Sequence, residues 1–203
     1  MPSLTARFAA AVAACATTLL LASCSHKSSS DHAGGPHSDD KPVISGEPAG
    51  HNTTDVTFAN NVTALEDQGT TMSRQVPTHS NDSGIVTFAA KTEAALQVDT
   101  QVLKALRAQW KGEQDNPPAN GGPSSPPAGG LIDNDTLVKL DSLHGAEFDT
   151  LWLKSMIGLE QGAIQQSNAE IASGKNVDAI SLAKQIVKAR QAEITQMQDM
   201  LNS

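Results

Sequence analysis

Four stretches of the chain repeat apolar residues every three or four positions, which is the spacing of one face of an α-helix. The first stretch covers 55–75, and the second covers 84–110 after the cap-like sequence His-Ser-Asn-Asp. The third covers 134–172, and the fourth follows the capping residue Asn176 to the C-terminus, with Gly174 ending the helix before it. No stretch sustains the alternation of a strand. The pattern predicts four helices and an all-α fold.

The apolar stripes of these helices define the expected core. In the first helix the stripe consists of Phe58, Val62, Leu65, Gly69, Met72 and Val76. In the third, Trp152, Met156, Leu159 and Ala163 lie beside a second stripe of Leu153, Ile157, Glu160 and Ile164. The last helix carries Ile180, Ala183, Val187, Arg190, Ile194, Met197 and Leu201. A glutamate and an arginine therefore fall among positions that the spacing assigns to the interior.

The two halves of the helical region repeat each other at an offset of 94 residues. The offset aligns Asp55 with Asp149, Phe58 with Trp152, Leu65-Glu66 with Leu159-Glu160, and Asp99 with Glu193. We therefore expect two helical hairpins, 51–110 and 131–203, joined by a Pro/Gly-rich linker over 111–130. Two such hairpins packed with pseudo-symmetry make one four-helix bundle domain over 51–203.

The N-terminal region indicates export. Residues 1–23 combine a single cation with a short apolar run and small residues, which is typical of a signal peptide. The ending Leu-Ala-Ser-Cys resembles a bacterial lipobox, which implies a lipidated (palmitate-bearing) Cys24 and anchoring to the outer face of the cell membrane. The alternative is an ordinary signal peptide with an incidental cysteine. Residues 24–50 are rich in Ser, Gly, Pro and Asp and predict a flexible tether. Its three histidines offer at most weak metal binding, and a solvated linker is the simpler interpretation.

Charge and cysteine content exclude several functions. The net charge is −8 without basic clusters, which argues against nucleic acid as a partner. The two cysteines lie at positions 15 and 24, so neither a disulfide nor a thiol site is expected in the folded part. The protein partner or small ligand, if there is one, is not specified by the sequence.

Two stretches carry a family resemblance: HNTTDVTFANNV from position 51, and LHGAEFDTLWLKSMIGLEQGAI with LAKQIVKARQAEITQMQDML in the second half. They resemble the ferritin-like domain of unknown function family three hundred and five, over residues 51–72 and 137–201. The resemblance implies a ferritin-like bundle with a histidine pair as metal ligands in each half. Here both pairs are Leu-Glu, at 65–66 and 159–160. The family usually has glutamine where Arg190 stands, so the chain is a divergent member in which the implied metal site is altered.

The carboxylates are the first candidate site. Glu66, Asp99, Glu160 and Glu193 contribute one acid per predicted helix at repeat-related positions. Four carboxylates alone would suit a hard cation. The structural alternative is an ion pair between Glu160 and Arg190, because an unpaired buried charge costs several kcal/mol. In the first half Leu96 stands at the arginine position, so Glu66 is expected to face solvent or to find another partner such as Arg74.

Methionines and histidines supply weaker candidates. Met72 and Met197, with other methionines nearby in sequence, suggest a soft site for cuprous copper, although methionine at helical spacing more often fills the core. His51 and His144 begin the two halves and are expected to join a hydrogen-bond network with Asp55 and Asp149 at the end of the bundle.

No nucleophile–base–acid arrangement or nucleotide-binding loop is readable in the sequence, so the chain is predicted not to be an enzyme. The favoured function is a non-enzymatic binding or structural role without a cofactor. The alternative is a metal-binding or metal-stress protein that uses a divalent or cuprous ion. A third alternative is a small-ligand carrier with its pocket between the hairpins.

Overall fold

The computed structural model describes residues 50–112 and 129–203. These residues form five α-helices: α1 (Thr53–His79), α2 (Ser83–Gly112), α3 (Asn134–Ser142), α4 (Gly145–Ser173) and α5 (Val177–Leu201). The described ranges contain no strand. The predicted all-α bundle is therefore confirmed.

The prediction of one helix over 134–172 is wrong, because the chain breaks between α3 and α4. Leu143 and His144 adopt extended backbone angles, and Gly145 follows with a φ of 60°. The apolar spacing did not reveal the break because Leu140 and Phe148, on either side of it, are both buried. They are eight residues apart, which is close to two helical turns and keeps the pattern in phase.

The four long helices make two hairpins, α1 with α2 (hairpin 1) and α4 with α5 (hairpin 2). The hairpins meet mainly through α1 and α4, whereas α2 and α5 touch over a smaller area. The side-chain amide of Asn52, just before α1, donates to the carbonyl of Ser173 at the end of α4 (2.9 Å). The two helices are therefore antiparallel. We call this end of the bundle the Asn52 end and the opposite one the His79 end.

The core consists largely of the predicted stripes. Every member of the α1 stripe is buried, and so are Trp152, Met156, Leu159 and Ala163 of α4. On α5 the buried face is centred on Ala179, Leu182, Ala183, Ile186, Arg190 and Met197, so several residues of the predicted stripe lie at its border. Trp152 packs edge-on against Phe88 with ring centroids 6.3 Å apart, which joins α4 to α2.

Side chains at the helix ends act as the sequence predicts. Asp82 accepts hydrogen bonds from the backbone amides of Gly84 and Ile85 at the start of α2. Asn176 accepts from the amides of Asp178 and Ala179, and α4 ends before Gly174. Each cap satisfies amides that the first turn of a helix leaves without a partner.

Residues 129–132, which we call the strap, lie between the hairpins at mid-bundle. The Gln68 side chain of α1 makes two hydrogen bonds to the backbone of Ile132, at 2.9 and 2.8 Å. Gly130 has a φ of 103°, and a Cβ on Gly162 of α4 would lie 2.4 Å from the carbonyl oxygen of Gly129. The strap therefore requires glycine both in itself and in the helix beneath it.

Several predicted segments lie outside the described residues. These are the signal peptide over 1–23, Cys24, the tether over 24–50 except Gly50, and residues 113–128 of the linker. Within the described part, no helix is long and apolar enough to cross a membrane.

Candidate functional site

Arg190 is the centre of the candidate site. It lies on α5, in phase with the core residues Ala183, Ile186 and Met197, and is fully buried. Its Nη2 lies 2.6 Å from Oδ2 of Asp99 on α2, and its Nη1 lies 2.5 Å from Oε2 of Glu193 one turn further along α5. A third carboxylate, Glu66 of α1, is 3.5 Å from Nη2. One guanidinium thus holds three acids from three helices.

The structure brings together all five residues of the predicted cluster. Glu160 of α4 completes it by facing the carboxyl group of Glu193. Glu66 and Glu160 are almost fully buried, whereas the side chains of Asp99 and Glu193 keep 21% and 18% of their surface exposed. The cluster therefore reaches solvent only through Asp99 and Glu193.

The predicted Glu160–Arg190 ion pair is wrong. Arg190 pairs with Asp99, Glu193 and Glu66, and neither carboxyl oxygen of Glu160 has a hydrogen-bond donor among the described residues. The physical reason is that both terminal nitrogens of the guanidinium are already in contact with Asp99 and Glu193, which leaves Glu160 facing another carboxyl.

Glu66 does not face solvent, so that alternative is wrong; it has found another partner, which is Arg190 and not Arg74. Glu66 points into the bundle, where the hydroxyl of Thr100 donates to its Oε2 at 3.3 Å. Arg74 lies two turns further along α1, on the surface, and pairs with Glu93 at 2.8 Å. The arginine of the second hairpin reaches Glu66 across the bundle, so the first half does not need a cation of its own.

Burial controls the protonation of the cluster. It raises the pKa of Glu66 to about 8, although Arg190 opposes the change. Burial, reinforced by the neighbouring Glu193, raises the pKa of Glu160 far above its usual range. Burial also raises the pKa of Asp99, against the effect of Arg190. At neutral pH the two innermost glutamates are therefore protonated, while Arg190 stays in contact with the carboxyl groups of Asp99 and Glu193.

The guanidinium also responds to its neighbours. Burial acts to lower the pKa of Arg190, but Glu193, Glu66 and Asp99 together raise it above its usual value. The arginine therefore remains charged at any pH at which the protein is folded.

Among residues 50–112 and 129–203, no group of three or more His, Cys, Asp and Glu side chains is placed to hold a metal ion. Met72 and Met197 are buried in the hydrophobic core, as expected for packing residues. The carboxylate cluster has the oxygen ligands that a hard cation prefers, but Arg190 occupies its centre.

The two predicted histidines lie at opposite ends of the bundle, so they share no network. His51 stacks on Trp110 at the Asn52 end, with ring centroids 5.1 Å apart. His144 stacks on His79 at the other end, at 4.6 Å. Asp55 belongs to a different set of contacts, since it accepts hydrogen bonds from backbone amides of the turn between α4 and α5.

Two features were missed at the sequence level. Thr100, which hydrogen-bonds Glu66, carries no distinguishing pattern. Glu170, by contrast, lies seven residues after Ala163 on the buried face of α4, so helical spacing alone marks it as an interior acid.

The clefts offer little room between the hairpins. A cleft of about 130 Å³ lies where the start of α2 meets the end of α5. It is smaller than the roughly 300–1,000 Å³ of typical ligand pockets. Wider open grooves lie between α3 and α4 (about 550 Å³) and between α1 and α2 (about 340 Å³). The cleft at the α2–α5 contact is thus too small for a typical ligand, and the small-ligand carrier stays a prediction.

Comparison with known proteins agrees on the fold. Similar solved structures include a DUF305 protein from Streptomyces coelicolor named as secreted, with 19% identity, a TM-score of 0.65, and coverage of 73% of this chain and 91% of that one. A DUF305 fragment from Deinococcus radiodurans has 18% identity and a TM-score of 0.64, covering 75% and 97% of the two chains. CopM in its Cu(II)-bound form has 18% identity and a TM-score of 0.59, covering 73% and 95%. Identities this low show the shared fold alone.

The sequence comparison gives the family. No curated protein sequence matches the chain. The family model described as Domain of unknown function (DUF305) matches residues 55–201, which include all four long helices for most of their length. The resemblance to domain of unknown function family three hundred and five is thus confirmed, whereas the ferritin-like character of the bundle stays a prediction; the chain belongs to the DUF305 family.

Proposed function

We propose that this protein is a non-enzymatic bundle of the bacterial cell envelope, with a binding or structural role, in which Arg190 takes the place of a metal ion. The observation that supports this proposal is the contact of one fully buried guanidinium with three acids on three helices. A cation in this position links α1, α2 and α5 in the way that a bound metal links its ligands. The cluster then stabilises the bundle and performs no chemistry.

The family resemblance gives this substitution its meaning. It implies histidine ligands at 65–66 and 159–160, where this chain has Leu-Glu. The glutamates at those positions both belong to the Arg190 cluster. Losing the histidines and gaining an arginine at the same site is consistent with a metal centre that became an ion-pair centre.

Metal binding is the second candidate function. One observation favours it: CopM, whose structure is of a Cu(II)-bound form, shares the fold. A second observation is that Glu66 Oε1 and both carboxyl oxygens of Glu160 are buried without hydrogen-bond donors among the described residues. These oxygens are potential ligands if Arg190 moves aside.

Metal titration separates the two candidates. The test uses the full chain with His26, His32 and His37 of the tether replaced by alanine, so that the tether offers no imidazole ligands. After treatment with EDTA, we expect Cu²⁺, Zn²⁺ and Mn²⁺ to leave the melting temperature unchanged and to bind at well below one ion per chain. An increase in melting temperature with one bound ion per chain would establish metal binding instead, because binding to the native state must stabilise it.

The Arg190→Met variant provides the positive counterpart. Removing the guanidinium leaves four carboxyl groups around an unoccupied centre, which suits a hard divalent cation. We expect Mn²⁺ to raise the melting temperature of this variant and not that of the parent chain. Equal responses of the two chains would show that Arg190 does not block the site.

Export and anchoring are part of the same proposal. Support comes from the signal-like residues 1–23 and the Leu-Ala-Ser-Cys sequence ending at Cys24, together with the similarity to a secreted protein. We expect the full chain in a bacterial host to fractionate with the membrane and Cys24→Ser to lose the lipid, which mass spectrometry detects. An unmodified Cys24 in the membrane fraction would contradict lipid anchoring.

A further inference from the structure

A second pair of buried acids lies at the Asn52 end, far along α4 from the arginine cluster. Asp55 of α1 and Glu170 of α4 are both fully buried and come from different hairpins. The Asp55 carboxylate accepts hydrogen bonds from the backbone amides of Asn52 (2.5 Å), Lys175 (3.1 Å) and Asn176 (2.8 Å). The last two amides belong to the turn between α4 and α5, so this carboxylate ties α1 to hairpin 2.

Glu170 contacts Asp55 but, unlike Asp55, accepts no hydrogen bond from a backbone amide of the described residues. Among the described residues, no donor reaches either of its carboxyl oxygens. A Cβ on Gly174 would lie 2.3 Å from Oε1 of Glu170, so the side chain is packed closely against the backbone of the turn. An ionised Glu170 would be a buried charge with no donor, in contact with a second carboxylate. A protonated Glu170 donates its proton to Asp55 and satisfies both groups.

Other charged groups near this end do not neutralise the pair. The Nζ of Lys175 extends toward Gly50, where it would lie 3.1 Å from an added Cβ. Arg107 and Lys111 of α2 line a small cleft beside Val56. His51, which stacks on Trp110, and Asp178 in the first turn of α5 are further titratable groups at this end. No described cation forms an ion pair with Glu170.

We propose that Asp55 and Glu170 form a proton-dependent latch that holds α1 to the turn between α4 and α5. When Glu170 carries its proton, the O–H donates to Asp55, and Asp55 in turn accepts from the amides of Lys175 and Asn176. When the proton leaves to solvent, two carboxylates in contact repel each other. The turn then moves away from α1, and the amides of Lys175 and Asn176 lose their acceptor.

The direction of the pKa changes supports this order of events. Burial, followed by the hydrogen bond and charge of Asp55, raises the pKa of Glu170 to about 8. For Asp55, burial acts to raise the pKa, but the hydrogen bonds from Glu170 and from the three backbone amides lower it overall. The pair therefore holds one proton, on Glu170, at neutral pH.

The repeat shows that the latch is confined to one end. The offset of 94 residues carries Glu170 onto Val76 and Gly174 onto Ser80, so hairpin 1 has no carboxyl group at the position that corresponds to Glu170. One oxygen of Asp149 indeed has no hydrogen-bond partner among the described residues. Opening of the latch would separate the hairpins at the Asn52 end only.

The test compares the full chain with its Glu170→Gln variant from pH 5 to pH 9.5, by urea denaturation. The glutamine amide donates to Asp55 at every pH and so imitates the protonated acid. The usual glutamate pKa is 4.5. Between that pH and about 8 the folded wild type holds a proton that the unfolded chain releases. The unfolding constant of the wild type relative to the variant should therefore rise by up to about tenfold per pH unit and then level off.

The exposed acid Glu147, on the same helix, supplies the control. Glu147→Gln removes a carboxyl group from the surface, so its effect on the unfolding constant should be small and should not reproduce the rise expected for the Glu170 comparison. If the ratio of the unfolding constants of Glu170→Gln and wild type does not depend on pH, the latch is overturned, even where the variant is less stable than wild type at every pH.

A measurement on the unaltered chain makes the test independent of whether the variant folds. Carboxyl ¹³C NMR should show Glu170 titrating near pH 8, and amide exchange at Lys175 and Asn176, corrected for intrinsic rates, should lose protection over the same range. Titration of Glu170 near pH 4.5, or protection that persists at pH 9.5, would contradict the proposal.

Discussion

Replacing Arg190 with methionine removes the positive charge at the centre of the bundle while keeping a long apolar side chain. The loss leaves Asp99 and Glu193 without the guanidinium contacts at 2.6 and 2.5 Å. Breaking a buried ion pair from one side typically costs about 3–5 kcal/mol. Asp99 and Glu193 keep about a fifth of their surface exposed, so water partly replaces the arginine. We therefore expect the lower end of the range, about 3 kcal/mol of unfolding free energy at pH 7.

Arg74→Met is the matched control. Arg74 also pairs with a glutamate, Glu93, at 2.8 Å, but its side chain is 61% exposed. Such surface pairs contribute about 0–1 kcal/mol. The two variants thus remove the same chemical group from a similar contact distance and differ mainly in burial.

Urea denaturation followed by helical circular dichroism measures the difference. With a slope of about 2 kcal/mol per molar urea, a loss of about 3 kcal/mol lowers the midpoint by about 1.5 M. The cost of Arg190→Met should shrink as the pH falls, because burial raises the pKa of Asp99 and its abandoned carboxylate then takes up a proton. A loss below about 1 kcal/mol at pH 7, equal to that of Arg74→Met, would refute the assigned role of Arg190.

Three further predictions follow from the geometry. Glu160→Gln should gain stability over wild type by up to about 1.4 kcal/mol per pH unit between pH 4.5 and pH 7, because the raised pKa of Glu160 makes the folded wild type hold a proton that the unfolded chain releases. A large loss of stability in urea denaturation would instead restore the Glu160–Arg190 ion pair that the structure contradicts. Gly162→Ala should lower the unfolding free energy by about 1–3 kcal/mol because the new methyl group displaces the strap. Gly158→Ala should lower it less, because its Cβ meets only ordinary contacts. Equal urea midpoints for the two variants would show that the strap is not held at Gly162. Glu66→Gln should gain stability over wild type as the pH rises from about 4.5 to 8, because the raised pKa of Glu66 makes folding of the wild type less favourable over that range. If the unfolding free energies of the two proteins instead change in parallel with pH, the assigned protonation is wrong.

The helical spacing and the repeat were sufficient to predict most of the fold. They located the four long helices and the two hairpins, because a packed bundle requires continuous apolar stripes and each half encodes one hairpin. They missed the break at Leu143 and His144, since the core residues on either side remain in phase. A break between two helices cannot be recognised from hydrophobic periodicity when the buried residues on both sides of it keep the same helical spacing.

The helical spacing and the repeat predicted which residues belong to the site, but not which acids pair with Arg190. Placing one acid on each long helix at matched positions was enough to expect that Glu66, Asp99, Glu160 and Glu193 converge near Arg190. Which acid meets the guanidinium depends on side-chain direction across the α2–α5 contact, and sequence spacing does not encode this. For that reason the sequence predicts Asp99 as a possible metal ligand and Glu160 as the ion-pair partner, whereas the structure pairs Asp99 with Arg190.

The most direct test of the account is a double-mutant cycle between Arg190 and Asp99, measured on the full chain in the presence of EDTA. The cycle compares Arg190→Met, Asp99→Asn and the double variant with wild type by urea denaturation at pH 7. Because the two groups lie 2.6 Å apart, we predict a favourable coupling of about 2 kcal/mol that does not depend on added metal. Additive losses, or a wild-type chain that unfolds on chelation alone, would contradict the conclusion that Arg190 is the cation of this site.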